Sequence, residues 1–185
     1  MNRIPKKIAF LLGLFLLLNG AFYIAWAEHH QHHGKDHDES TKPPEVTQPA
    51  PITNQTYQDL CGACHFAYQP FLLPSGSWEK ILSGLDNHFG QAVEIDPESK
   101  KTIEEHLKNG AAEKSSARLA TRIMKSLGNA TPLRITETPY IQKQHEEISS
   151  NVLKRESIGS LSNCSACHQT AEKGSYNEDS VKVPK

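Results

Sequence analysis

The chain has 185 residues, with 20 Lys and Arg against 21 Asp and Glu, a formal net charge of −1 and 37% hydrophobic residues. That size and balance exclude a large multidomain enzyme and a polybasic nucleic-acid binder, and leave one small domain. Nineteen of the hydrophobic residues lie in the first 27, so the remainder is too poor in apolar side chains to make a self-sufficient core. It needs a disulfide, a metal or a bound cofactor.

Residues 1–27 carry Arg3, Lys6 and Lys7, an apolar run from Ile8 to Ile24, and Ala25-Trp26-Ala27. A positive segment, an apolar segment and a small-residue site predict a signal peptide cut before Glu28 and a periplasmic destination. The alternative is an uncleaved anchor, because about twenty apolar residues just span a bilayer. Without the leader the chain is mildly acidic, which gives no cue for anionic partners. Residues 28–56 begin EHHQHHGKDHDE and continue through Pro43, Pro44, Pro49 and Pro51. With little to bury, they are expected to be a disordered tether. His29, His30, His32, His33 and His37 make it a solvated, weakly buffering tail or a loose transition-metal site.

From Tyr57 the apolar spacing is helical and no alternating strand pattern occurs. Ser77 is expected to cap a helix bearing Trp78, Ile81, Leu82 and Leu85 and ending before Gly90. Asp96, Pro97 and Glu98 open a second helix through Ile103 and Leu107 to Asn109-Gly110. A third runs from about Ser115 to Leu127 and stops at Gly128. Thr138 and Pro139 start a fourth, with Ile141, Ile148 and Val152 on one face. These apolar faces are narrow, so something else must fill the middle.

All four cysteines lie in Cys61-Gly62-Ala63-Cys64-His65 and Cys164-Ser165-Ala166-Cys167-His168. In an exported chain, two cysteines two residues apart followed by histidine are the attachment signature of c-type haem. On a helical turn both sulfurs reach one edge of the porphyrin, and the next residue aims its imidazole at the iron. A thioredoxin-like pair needs a βαβ context and no histidine. A zinc site of two such knuckles has a gap of about 15 to 20 residues, far shorter than that from Cys64 to Cys164. Disulfides explain the even count but not the shared histidine. Two covalently attached haem c groups are therefore expected, with His65 and His168 as proximal ligands.

The chemistry of each iron depends on its other axial position: a second strong ligand favours electron transfer, an open one gas or peroxide chemistry. Outside the tether and the two motifs, the candidates are His88, His106, His145 and Met124. His145 lies four residues after Ile141 and three before Ile148, within an apolar helical face where an imidazole needs a partner. His88 and His106 lie at the rims of their faces, and helical geometry does not separate them. Met124, among Ala120, Ile123 and Leu127, reads as ordinary core.

The segments CGACHFAYQPFLLP, SWEKILSGLDNHFG, PLRIT, IQKQHEEI and NCSACH together resemble the small bacterial dihaem cytochromes c, over about Tyr57 to Thr170. These are soluble electron donors often associated with an oxygen-binding monohaem cytochrome of the sphaeroides haem protein type. The resemblance implies bis-histidine haems with His88 and His145 as distal ligands. It speaks against His106, which stands where the family has tyrosine. Tyr140 replaces a tryptophan of the family pattern, a change of packing more than of chemistry. The expected architecture is all-α, a small helical cytochrome c-like domain over 57–172 built around two covalent haems, with little or no β-structure. Residues 173–185 are expected to be a disordered tail.

The expected function is one-electron transfer at low potential, because histidine stabilises the reduced state less than methionine. No substrate chemistry or nucleic acid is expected. The expected partners are redox proteins, such as a monohaem oxygen-binding cytochrome or a membrane cytochrome b. The competing readings are a haem enzyme or gas sensor with one five-coordinate iron, and a periplasmic metal buffer using the His-rich tail.

Overall fold

The computed structural model describes residues 52–185. The expected signal peptide or anchor over 1–27, and the His-rich and Pro-rich stretch with its five histidines, lie outside the described residues. Seven α-helices joined by short 3-10 turns make up the described part: α1 (Gln55–Cys61), α2 (Ser75–Ser83), α3 (Pro97–Asn109), α4 (Arg118–Leu127), α5 (Pro139–Gln144), α6 (Ser150–Leu153) and α7 (Cys164–Cys167). Among the described residues there is no named strand; only two isolated bridges occur, His88 with Gln91 and His168 with Val181. The domain is all-α, as its sequence pattern indicates.

Two apolar clusters hold the helices. One joins Tyr57 of α1, Leu73, Trp78 and Leu82 of α2, and Ile103 and Leu107 of α3. The other joins Phe71 and Leu72 of the preceding 3-10 turn to Ala120, Ile123 and Leu127 of α4. The segment Pro70–Leu73 thus feeds both clusters from one short stretch. Trp78 donates its indole N–H to the Pro70 carbonyl at 2.8 Å, which satisfies the one polar atom of that buried ring.

The helix ends show where sequence cues held and where they did not. Asp96 caps α3 as expected, its Oδ1 accepting the Glu98 and Ser99 N–H groups at 3.1 and 2.9 Å ahead of Pro97 in the first turn. α3 ends at Gly110 with an ordinary negative φ. The constraint there is space: a Cβ on Gly110 would come within 2.8 Å of the Pro70 ring. Gly128 ends α4 at φ +56 and ψ −116, a positive-φ conformation that glycine adopts without steric cost.

Ser77 does not cap α2. That helix starts one turn-half earlier, at Ser75, and Ser77 is fully buried with its hydroxyl unpartnered. The Glu113 carboxylate caps α2 instead, accepting from the Ser75 N–H at 3.1 Å and from its hydroxyl. A cap supplied from 38 residues away leaves no local signature.

Two further expectations are corrected. The helix expected to run from Pro139 through Val152 stops at Gln144, with His145 as its C-cap residue, and chain resumes helix only at Ser150. The spacing of Ile141, Ile148 and Val152 therefore bridges two short helices. Residues 173–185, expected to be disordered, are placed against the second cysteine motif. The Lys182 N–H donates to the Cys167 carbonyl at 2.9 Å, Val181 bridges His168, and Arg155 donates to the Pro184 carbonyl. These links run mostly through backbone, so side-chain composition does not announce them. At the other boundary, Asn54 caps α1 by accepting the Tyr57 N–H at 2.8 Å, so the domain begins before residue 57.

Candidate functional site

The first motif begins where α1 ends: Cys61 is its last residue, and Cys64 and His65 follow in the turn. His88 faces it from a different element than expected. α2 ends at Ser83, a 3-10 turn covers Leu85–Asn87, and His88 opens a two-residue hairpin. The His88 N–H donates to the Gln91 carbonyl at 2.7 Å and the Gln91 N–H returns to the His88 carbonyl at 3.2 Å. The intervening Phe89 and Gly90 both have positive φ, +54 and +96, the pattern of the tight turn that matches strand twist. The Asn87 side chain also accepts the Gly90 N–H at 3.1 Å. The result is that the imidazoles of His65 and His88 are opposed, with 6.1 Å between ring centres and 19° between planes.

The second motif forms a single helical turn, α7, so Cys164 and Cys167 project from one side. His168 follows it directly, and the end of α5 brings His145 opposite. Their ring centres are 6.0 Å apart, with planes crossed at 68°. The structure thus pairs His65 with His88 and His168 with His145.

These dimensions fit a metal held between the rings. Two metal–imidazole bonds of about 2 Å each, plus the offset from ring nitrogen to ring centre on either side, place the centres about 6 Å apart. The hydrogen bonds at the far ring nitrogens agree. Nδ1 of His65 faces the Phe66 carbonyl at 2.8 Å and Nδ1 of His145 faces the Ile141 carbonyl at 2.7 Å. A carbonyl at Nδ1 holds the proton there and leaves Nε2 with a free lone pair. Burial lowers the pKa of His88 and of His168, helped in each case by the facing histidine. Both are therefore biased to the neutral form that ligates a metal.

All four cysteines are free of disulfides. Burial pushes the Cys61 and Cys164 thiols up to about 11 and raises Cys167 as well. Thiols so placed are poor thiolates, which disfavours a redox or nucleophilic role. Among the described residues no group of three or more His, Cys, Asp or Glu side chains converges as a metal cluster, so the two knuckles do not form one tetrahedral site. What remains is the donor set of a c-type haem twice over: two sulfurs and two facing imidazoles in each place.

Of the other candidates, His106 packs against Tyr57, ring centres 5.2 Å apart, with its Nε2 buried and unpartnered. Met124 packs on the α4 cluster. Neither is paired with a motif histidine. Sequence reasoning passed over three residues at the sites. Tyr68 lies 5.2 Å from the His65 ring, and Tyr176 lies 5.5 Å from the His168 ring. Gln69, 1% exposed, receives the Tyr176 hydroxyl and donates to the Ala171 carbonyl at 2.5 Å. The Gln69 contacts span 102 and 107 residues of sequence, where no local spacing rule applies.

The family model for dihaem cytochrome c matches residues 57–176. The chain is similar to the solved structure of a dihaem cytochrome c from Rhodobacter sphaeroides, at 38% identity over 69% of this chain and 100% of that one, with a TM-score of 0.62. It is also similar to a dihaem cytochrome c from Shewanella baltica OS155, at 36% identity over 71% of this chain and 93% of that one, with a TM-score of 0.58. No curated protein matches. The extent of the family match, and of the coverage of both solved relatives, shows that this chain belongs to the dihaem cytochrome c family of electron-transfer cytochromes and carries two haem c groups.

Proposed function

We propose that this protein is an exported one-electron carrier of low potential in which each haem iron is closed by two imidazoles, His65 with His88 and His168 with His145. The observation that carries the reading is the pair of imidazole–imidazole separations, 6.1 and 6.0 Å, each joining a motif histidine to a histidine from a distant element. When bound, each haem iron takes up and releases one electron. The chain's own residues would supply an imidazole on either side of each iron, His65 and His88 at one and His168 and His145 at the other, leaving no open site for oxygen or peroxide. Cys61 and Cys64 would hold one macrocycle, and Cys164 and Cys167 the other.

Low potential follows from imidazole on both sides of each iron. Export follows from the leader-like first 27 residues. Among the described residues no helix is long and apolar enough to cross a membrane. The partners are other redox proteins, a monohaem oxygen-binding cytochrome or a membrane cytochrome b.

The test is low-temperature electron paramagnetic resonance of the oxidised protein, with carbon monoxide added to the reduced one. Two low-spin signals are expected, of different shape: nearly parallel imidazole planes at the first site give a rhombic signal, and crossed planes at the second give a strongly axial one. Carbon monoxide should leave both spectra unchanged. A high-spin signal with stoichiometric carbon monoxide uptake would replace this reading by a haem enzyme or gas-binding protein. Clearly positive midpoint potentials at both haems would remove the low-potential assignment.

A further inference from the structure

The two motifs are 99 residues apart from His65 to Cys164, yet consecutive residues just after the first one reach both ends of the second. Tyr68 donates its hydroxyl to the Ser162 carbonyl at 2.8 Å, two residues before Cys164. Gln69 donates to the Ala171 carbonyl, three residues after His168. The Tyr68 ring also lies 5.2 Å from that of His65, at 32° between planes. Its own backbone is fixed, because the buried Tyr57 hydroxyl donates to the Tyr68 carbonyl at 2.7 Å.

We propose that Tyr68 is the bridge between the two haem centres, its ring against the first proximal histidine and its hydroxyl on the carbonyl that leads into the second cysteine motif. An electron passing between two centres crosses covalent and hydrogen bonds more readily than gaps. The route from the His65 ring to the Tyr68 ring, through the hydroxyl to the Ser162 carbonyl, and along the backbone to Cys164 contains a single van der Waals step. One haem is oxidised as the other is reduced, and no proton moves. Tyr68 remains a hydroxyl donor throughout, burial having pushed its ionisation up to about 12. Gln69 shares the mechanical task of holding the second motif, its amide bonded to the Ala171 carbonyl and to the Tyr176 hydroxyl, and carries no step of the route.

The inference rests on the reading above that each facing histidine pair encloses a haem. The test uses the full-length, haem-loaded protein and its Tyr68→Phe and Tyr68→Leu variants. One haem is reduced by a light pulse and exchange with the other is followed by transient absorbance, alongside a redox titration and paramagnetic resonance spectra. Tyr68→Phe, which keeps the ring and loses the hydroxyl, should slow exchange severalfold with both midpoint potentials and both low-spin signals unchanged. Tyr68→Leu, which loses the ring as well, should be slower still. Exchange at the wild-type rate in Tyr68→Phe overturns the proposal. So does slowing accompanied by a shifted potential or a new high-spin signal, since Tyr68 would then act only by holding His65. A high-spin wild-type spectrum would instead sink the enclosing-pair reading, so the two failures are distinguishable.

Discussion

Gly90→Ala isolates the turn that presents His88. Gly90 has φ +96 and follows Phe89, itself at φ +54. A Cβ built on Gly90 meets no atom within 4 Å, so the substitution creates no clash and its whole effect is backbone strain. An L-residue in a left-handed conformation costs about 1–2 kcal/mol. The entropic gain that Gly→Ala brings elsewhere, about 0.4–1 kcal/mol, accrues only where the native φ suits alanine. A net loss of about 1–2 kcal/mol lowers the thermal midpoint of a domain of this size by about 3–8 °C. Because the strain falls on the residues between His88 and Gln91, the same free energy raises the population in which His88 swings away by about 5–30-fold. The first haem should therefore acquire slow carbon monoxide uptake in the reduced state, while the signal from crossed imidazoles persists. Gly90→Asn should recover much of the loss, since asparagine tolerates this region. Calorimetry and carbon monoxide mixing check both parts. If Gly90→Ala melts with the wild type and remains inert to carbon monoxide, the hairpin does not position His88 and the reasoning fails.

His145→Ala should render one haem high-spin and reactive toward carbon monoxide while the other stays low-spin, and His145→Met should raise one midpoint potential; an unchanged spectrum in both removes His145 as a ligand. Glu113→Gln should flatten the acid limb of the stability curve in urea melts. Partial burial would raise the Glu113 carboxyl, but the hydrogen bonds from Ser75 outweigh it and hold the group below its ordinary 4.5. Its contribution is thus complete above that value and is lost as pH falls through the lower folded one; an acid limb identical to the wild type's would show that the cap is without consequence. Replacing Cys164 and Cys167 together by serine should leave a polypeptide heavier by one haem instead of two in mass spectrometry, and amide exchange should rise in residues 145–185 more than in α3 or α4.

Much of this architecture was legible in the sequence because the decisive cues are local. The two pentapeptides bring sulfur and imidazole into reach by spacing alone, and the Asp96-Pro97-Glu98 start of α3 is a self-contained cap. His88 and His145 could be singled out as residues, but the elements that carry them could not. His88 is held by a hairpin whose signature, Phe89-Gly90, breaks the rule that a bulky residue avoids positive φ. His145 ends a helix of six residues where the apolar spacing continues to Val152, because Ile141 packs on the α4 cluster and Ile148 lies past the break. Which histidine faces which motif is set by the packing of α2 on α3 and of α5 on α4, and no spacing rule encodes that. The clasp of Tyr68 and Gln69 on residues 162 and 171 is invisible for the same reason.

The distribution of burial explains why so thin a core suffices. Every buried member of both apolar clusters lies between Tyr57 and Leu127, with Ile135, Tyr140, Ile141 and Tyr176 only partly buried against them. After Leu127, the buried hydrophobic residues among those described are Ile158 and Ala171 alone, although this stretch supplies His145, Cys164, Cys167 and His168. Backbone hydrogen bonds and the Gln69 and Tyr68 clasps hold it in place, and such bonds contribute only about 1 kcal/mol each. A large apolar macrocycle tied by thioethers to Cys164 and Cys167, as proposed above, would supply the missing surface at that point. The first half can rest on α1 to α4, whereas the second has little to fold around except its cofactor. Attachment of the second haem is, on this argument, also the last step in completing the fold.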